Sequence, residues 1–256
     1  MLKLCKEFPR TKEEILEAIQ NDIPLPWAAK PTFAKDTKRP MHSAALLRRY
    51  LKELEKMELL IHANDAFSIT RKGYEKETSL RLHLRERLRL VLRAVEKMND
   101  DLNGKPNMKD VQIVPESDRE FLRGVISVKD MVRYFALDYL LKNKKKPITI
   151  TNLREEMLQK YGWTCSKQYF FYLIRDELGD GQLHRKPEQE DFDPALANCV
   201  KGRWDGELRN ERYYSITSKG MEWIDVFRKA AKEQMHEAIL HIDLLLKHTK
   251  EGVRNN

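Results

Sequence analysis

Apolar residues in this chain fall into a few periodic stretches separated by helix breakers. Thr11-Lys12-Glu13-Glu14 has the Thr-x-x-Glu form of a capping box and opens a helix whose Ile15, Leu16 and Ile19 share one face. Pro24, Pro26 and Pro31 then interrupt regular structure. Residues 24–40 read as an irregular loop, with Trp27 or Phe33 available to plug a core. A helix beginning at His42 or Ser43 and ending before Glu58 turns Leu47, Leu51 and Leu54 inward. An apolar strand at Leu59-Leu60-Ile61, a turn at His62-Ala63-Asn64-Asp65 and a second strand from Phe67 to Thr70 follow. Residues 73–102 are the most regular stretch. Leu80, Leu84, Leu88, Val91, Val95, Met98 and Leu102 form a near-heptad seam, suited to packing on the adjoining domain or on a partner copy. Asn103-Gly104-Lys105-Pro106-Asn107 ends that helix, and the residues up to Gly124 read as a linker.

The second half opens at Ser127 with a helix that should bury Met131, Tyr134, Phe135, Tyr139 and Leu140. Lys144-Lys145-Lys146-Pro147 ends it, and the lysine run is a candidate phosphate contact. A helix from Asn152 to Lys160 follows Ile148-Thr149-Ile150-Thr151, Gly162 makes a turn, and Ser166 caps the next helix. After Gly220, the residues Ile224, Phe227, Ala231, Met235, Ala238, Ile242 and Leu245 keep one stripe along a helix that is long for a small domain to cover alone. This predicts pairing with a second copy; the alternative is that the helix folds back against residues 73–102.

One phrase occurs twice: Phe67-Ser68-Ile69-Thr70-Arg71-Lys72-Gly73 and Tyr214-Ser215-Ile216-Thr217-Ser218-Lys219-Gly220. The context repeats too, with Leu46 to Leu54 and then Leu59-Leu60 before the first copy, and Phe170 to Leu178 and then Leu183 before the second. Helix, break, strand, strand ending in Ser-Ile-Thr, and a Lys-Gly that opens another helix: this order resembles the winged helix-turn-helix family. In that family a recognition helix precedes a two-stranded wing. The resemblance implies a mostly α chain with small β wings (α+β), as two winged-helix domains joined by a long helix, plus a long C-terminal helix. The expected divisions are a first winged-helix domain over residues 1–78 and a long basic amphipathic helix with linker over 79–125. A second domain with an enlarged wing (186–210) would span 126–232, and a helix and tail for dimerisation 233–256. The family order also implies a helix between Pro24 and Pro40, which the prolines leave unsupported.

Charge gives the resemblance a direction. The chain of 256 residues carries a formal net charge of +8 with 34% charged residues, and such a balance suits a polyanionic partner. On the first recognition-helix candidate Ser43, Arg48, Arg49 and Lys52 face outward, the residue types that bond base edges and phosphates. Arg81, Arg85, Arg89 and Arg93 form a second stripe at four-residue spacing, which repels itself unless phosphates or acids of the second domain lie along it. The second candidate helix exposes Lys167, Gln168, Tyr169, Tyr172 and Arg175, where Gln pairs with adenine and Arg with guanine. Its aromatic content equally suits a protein interface. In the enlarged wing, Glu188, Glu190, Asp191 and Asp193 are acidic, while Lys201-Gly202-Arg203-Trp204 offers a basic tip for a minor groove.

Other chemistries find little support. Cys5, Cys165 and Cys199 make no Cys-x-x-Cys pair. A metal site from Cys165, His184 and Cys199 is the lesser reading, and His236, His241 and His248 lack the four-residue spacing of helical ligands. There is no phosphate-cradling glycine loop and no nucleophile elbow, so no enzyme and no cofactor are expected. No apolar run is long enough to span a membrane, and the acidic opening does not read as a signal peptide. The expectation is a cytoplasmic, nucleoid-associated homodimer that binds double-stranded DNA as a transcription regulator or as a replication or partition factor of a mobile element. The alternative is a winged-helix scaffold subunit that reads no DNA.

Overall fold

The computed structural model describes residues 2–6, 8–22, 44–105, 110–119, 127–179, 195–204 and 212–250. Among the described residues the protein is mostly helical with two small antiparallel sheets. It divides into two compact units, Met1–Glu86 with His248–Asn256, and Arg87–Lys247. The division falls between Glu86 and Arg87, inside a long helix. Trp27, Phe33, His184 and the helix expected between Pro24 and Pro40 lie outside the described residues.

In the first unit, strand β1 (Arg10–Thr11) leads into α1 (Lys12–Asp22), followed by α2 (Ala44–Lys56), β2 (Leu60–Ala63), β3 (Ala66–Ile69) and the start of α3 (Arg71–Leu102). The sheet order is β1-β3-β2. Asn64 and Asp65 connect β2 to β3 with φ of 51° and 59°, the left-handed pair that suits the strand twist of a two-residue hairpin. Ile15, Leu47, Leu51, Leu60 and Phe67 form the core together with Cys5.

The second unit contains the rest of α3, α4 (Lys129–Lys142), α5 (Ile150–Tyr161) and α6 (Lys167–Phe171), which continues as a π-helical stretch over Tyr172–Glu177. Then come β4 (Val200–Trp204), β5 (Arg212–Ile216) and α7 (Ser218–His248). Its core runs from Leu88 to Ile242 and includes the fully buried Trp163, Phe170 and Leu137.

The two units repeat more than the seven-residue phrase. Arg10 pairs with Phe67, and Ile148 forms an isolated bridge with Tyr214, so the first phrase residue meets an incoming strand each time. A capping box follows both pairings. Thr11 N–H donates to Glu14 Oε2 (2.8 Å) and Glu14 N–H to Thr11 Oγ1 (3.3 Å). Thr149 and Asn152 do the same at 2.9 and 3.2 Å. Helix α1 therefore corresponds to α5, the helix after α4, and α4 has no counterpart among the described residues of the first unit.

The phrase itself is a clamp. The Thr70 hydroxyl donates to the carbonyls of Glu58 (2.7 Å) and Leu59 (3.3 Å) and accepts from Gly73 N–H (2.9 Å). Thr217 makes the matching bonds to Asn198 (2.7 Å), Cys199 (3.1 Å) and Gly220 N–H (3.1 Å). The residues entering the hairpins also match, since Glu58 and Asn198 have φ of 60° and 65°.

Two apolar stripes are corrected. Leu80 and Leu84 are 48% and 37% exposed, while Leu88, Val91, Val95, Met98 and Leu102 are buried. In the first part of α3 the inward line is instead Gly73, Glu77 and Arg81. Glu77 binds Arg81 (3.3 Å) and Lys6 (3.2 Å), and an ion pair of this kind compensates the burial of its charges. The α7 stripe expected to meet a second copy is occupied: Phe227, Ala231, Met235, Ala238 and Ile242 are buried in the core of their own unit. That face leaves no apolar seam for a dimer.

Candidate nucleic-acid interface

In the first unit, packing fixes which face of α2 meets solvent. Leu47 and Leu51 are buried in the core, and the turns between them leave Arg48, Arg49, Tyr50 and Lys52 exposed. Ser43 lies outside the described residues. Glu13, on α1, has its carboxyl held below the usual range, chiefly by a hydrogen bond from Lys12 and in smaller part by Arg48. The adjoining hairpin carries no cation on its outward face. Ile61 and Ala63 stand there opposite Ser68 and Ala66, and His62 stacks on Phe67 at 4.3 Å between ring centroids.

The arginines of α3 do not form one continuous line. Arg81 is buried, paired with Glu77, and donates to the Thr249 carbonyl at 3.2 Å. It is a structural residue and not a surface contact, which corrects the expected stripe. Arg85 is half-buried and Arg89 exposed, while Arg93 donates to Gln112. Arg87, which the spacing set aside, binds Asp118 at 2.9 Å.

In the second unit Ser166 caps α6 by accepting from Tyr169 N–H at 3.3 Å, which leaves Lys167 and Gln168 exposed at the helix start. Tyr169 and Tyr172 stack on each other at 6.4 Å and are half-buried. Arg175 lies over the Phe171 ring at 4.0 Å and also pairs with Asp176, so neighbours already engage its guanidinium. The π-helical end of this helix is pinned from below. Glu177, 1% exposed, accepts from Arg133 at 2.9 Å and meets Lys129 at 2.5 Å. Asp130 holds Arg133 from the other side at 2.6 Å and receives Gln234 of α7 at 2.7 Å.

The second hairpin differs from the first at equivalent positions. Val200 pairs with Ile216 as Leu60 does with Ile69, so Lys201 stands where Ile61 does and Arg203 where Ala63 does. Both cations are exposed. The expectation that they sit at the tip of an insert is corrected, because residues 200–204 are the first strand of the hairpin. The added length lies before that strand and in residues 205–211. Trp204 pairs across the hairpin with Arg212, whose guanidinium is 5.8 Å from the Trp204 ring centroid. Arg212 is missing from the expected site because its pairing depends on the register of β5, which the single-chain pattern does not fix.

Cys165 and Cys199 are buried thiols, and among the described residues no group of His, Cys, Asp and Glu side chains is arranged to hold a metal ion. No described helix is long and apolar enough to cross a membrane. No family model, curated protein or solved structure matches this chain.

Proposed function

We propose that the chain binds double-stranded DNA sequence-specifically through two winged-helix domains, as a cytoplasmic transcription regulator or a replication or partition factor of a mobile element. One observation carries this reading. Arg48, Arg49 and Lys52 are exposed on a helix whose opposite face is locked into a core by Leu47 and Leu51, directly before a hairpin. A helix so anchored presents its cations as a rigid row, and the major groove admits a helix. In this reading α2 and α6 are the recognition helices, the hairpins are the wings, and the protein is a binder and not a catalyst.

The test is a mobility shift on genomic fragments with Arg48→Ala, Arg49→Ala. Each good base contact is worth about 1–3 kcal/mol and each phosphate contact about 0.9 in the slope of log K against log salt. The double variant should therefore bind at least about ten-fold more weakly with an unchanged melting temperature, since neither side chain fills the core. Unchanged affinity refutes the reading. A scaffold role without DNA is favoured by one feature, the exposed Tyr50, Met57 and Ile61 at 50%, 51% and 57%. Large exposed apolar groups of this kind suit a protein partner. Wild-type protein that shifts no fragment at low salt would select that alternative.

A further inference from the structure

We propose that the second hairpin is a stacking platform for an unpaired nucleic-acid base, with Trp204 as the stacking surface and Lys201 and Arg203 as phosphate contacts. This goes beyond duplex recognition, which the Arg48, Arg49 and Lys52 row of α2 carries. Trp204 is 55% exposed, although a Trp side chain usually buries its large apolar surface. It does not swing freely, because its cross-strand partner Arg212 places a guanidinium near the ring. Gly202 makes that placement possible. A Cβ there would stand 2.2 Å from Arg212 Nε, so only a residue without a side chain lets Arg212 lie across the strand. Arg212 then comes within 5.8 Å of the ring centroids of both Trp204 and the buried Tyr214. The indole is thereby held by its own hairpin and still open to solvent.

Strand alternation puts Lys201 and Arg203 on the other face of β4, with Ser215 and Tyr213 opposite them. Among the described strands β4 has β5 on one side only, so a single strand crossing its other edge can set phosphates by the cations on one face and turn one base onto the indole on the other. Bases stack on aromatic side chains regardless of sequence, and positive charge tracks the backbone. A base inside a duplex already has both faces covered by its neighbours, so the exposed ring fits an unpaired base. The first hairpin provides the internal contrast, because Ile61 and Ala63 occupy the two cation positions.

The full chain is titrated by fluorescence anisotropy against a labelled oligothymidylate of about 20 nucleotides and a duplex of the same length. Trp204→Ala should weaken oligothymidylate binding by about ten-fold or more, while Trp204→Phe stays within about three-fold of wild type. Duplex affinity should not change in either variant. Lys201→Gln with Arg203→Gln should lower the single-strand salt slope by up to roughly 1.4 units. Thermal melts of all variants should match wild type, since the side chains are exposed. The proposal is overturned if wild-type protein does not bind the oligonucleotide or if Trp204→Ala binds it as well as wild type. It is also overturned if Trp204→Ala loses duplex and single strand equally, which would make Trp204 part of the duplex contact. Failure of the duplex reading leaves the single-strand titration intact, so the two ideas fail separately.

Discussion

Gly220→Ala should destabilise the second unit by about 2–4 kcal/mol, against the helix propensity of the new residue. Gly220 is the third residue of α7, where a Cβ would stand 2.1 Å from the Cys199 carbonyl oxygen and 2.9 Å from Ile216 Cγ1. Ordinary contacts begin at 3.4 Å, so the oxygen or the helix must retreat by more than about 1 Å. That oxygen accepts from Thr217 N–H and from the Thr217 hydroxyl, both at 3.1 Å. Each bond lost costs about 1 kcal/mol, and forced repacking costs about 1–3 kcal/mol. Ala is favoured over Gly within a helix by about 1 kcal/mol, which offsets part of this. Urea denaturation followed by circular dichroism measures the change, and the melting point should fall by roughly 5–15 °C. Gly73→Ala should reproduce the effect in the first unit, where the Leu59 oxygen lies 2.0 Å from the new atom. Gly104→Ala separates backbone strain from crowding. Gly104 has φ +68° with nothing within 4 Å of a Cβ, so only about 1–2 kcal/mol of left-handed strain applies. If Gly220→Ala is neutral or stabilising, close approach is not why glycine stands in the repeated phrase.

Glu177→Ala leaves Arg133 buried without its main counter-charge and should cost about 3–5 kcal/mol in urea titrations; a loss below about 1 kcal/mol would show that water reaches the network. His241 is buried on α7, and burial lowers its pKa, so the fold prefers the neutral ring. The unfolded chain then binds the proton more readily. Stability should fall as pH drops below about 6.5 and level off once the folded pKa is passed. His241→Gln should flatten that part of a stability–pH profile relative to wild type, and identical profiles would refute the assignment.

Local periodicity and capping chemistry were legible in the sequence. The Thr11–Glu14 box and the Ser166 cap rest on contacts within three residues, and the inward Leu47 and Leu51 follow from helical spacing. Such patterns record which side of an element is apolar, and that is decided by side-chain chemistry alone. The outward placement of Arg48, Arg49 and Lys52 follows by subtraction from the same pattern. Tertiary structure decided the rest. The stripe of Leu80 and Leu84 looked like core, yet Glu77 and Arg81 take the inward line because Lys6 and the Thr249 carbonyl meet their charges there. A buried charge is tolerated only where a partner distant in sequence arrives, and periodicity carries no record of that partner. The same holds for α7, whose stripe reads alike whether a second copy or its own chain covers it, and for Trp204, whose partner Arg212 is set by strand register. Hydrophobic pattern states that a surface must be covered; only the folded chain states by what.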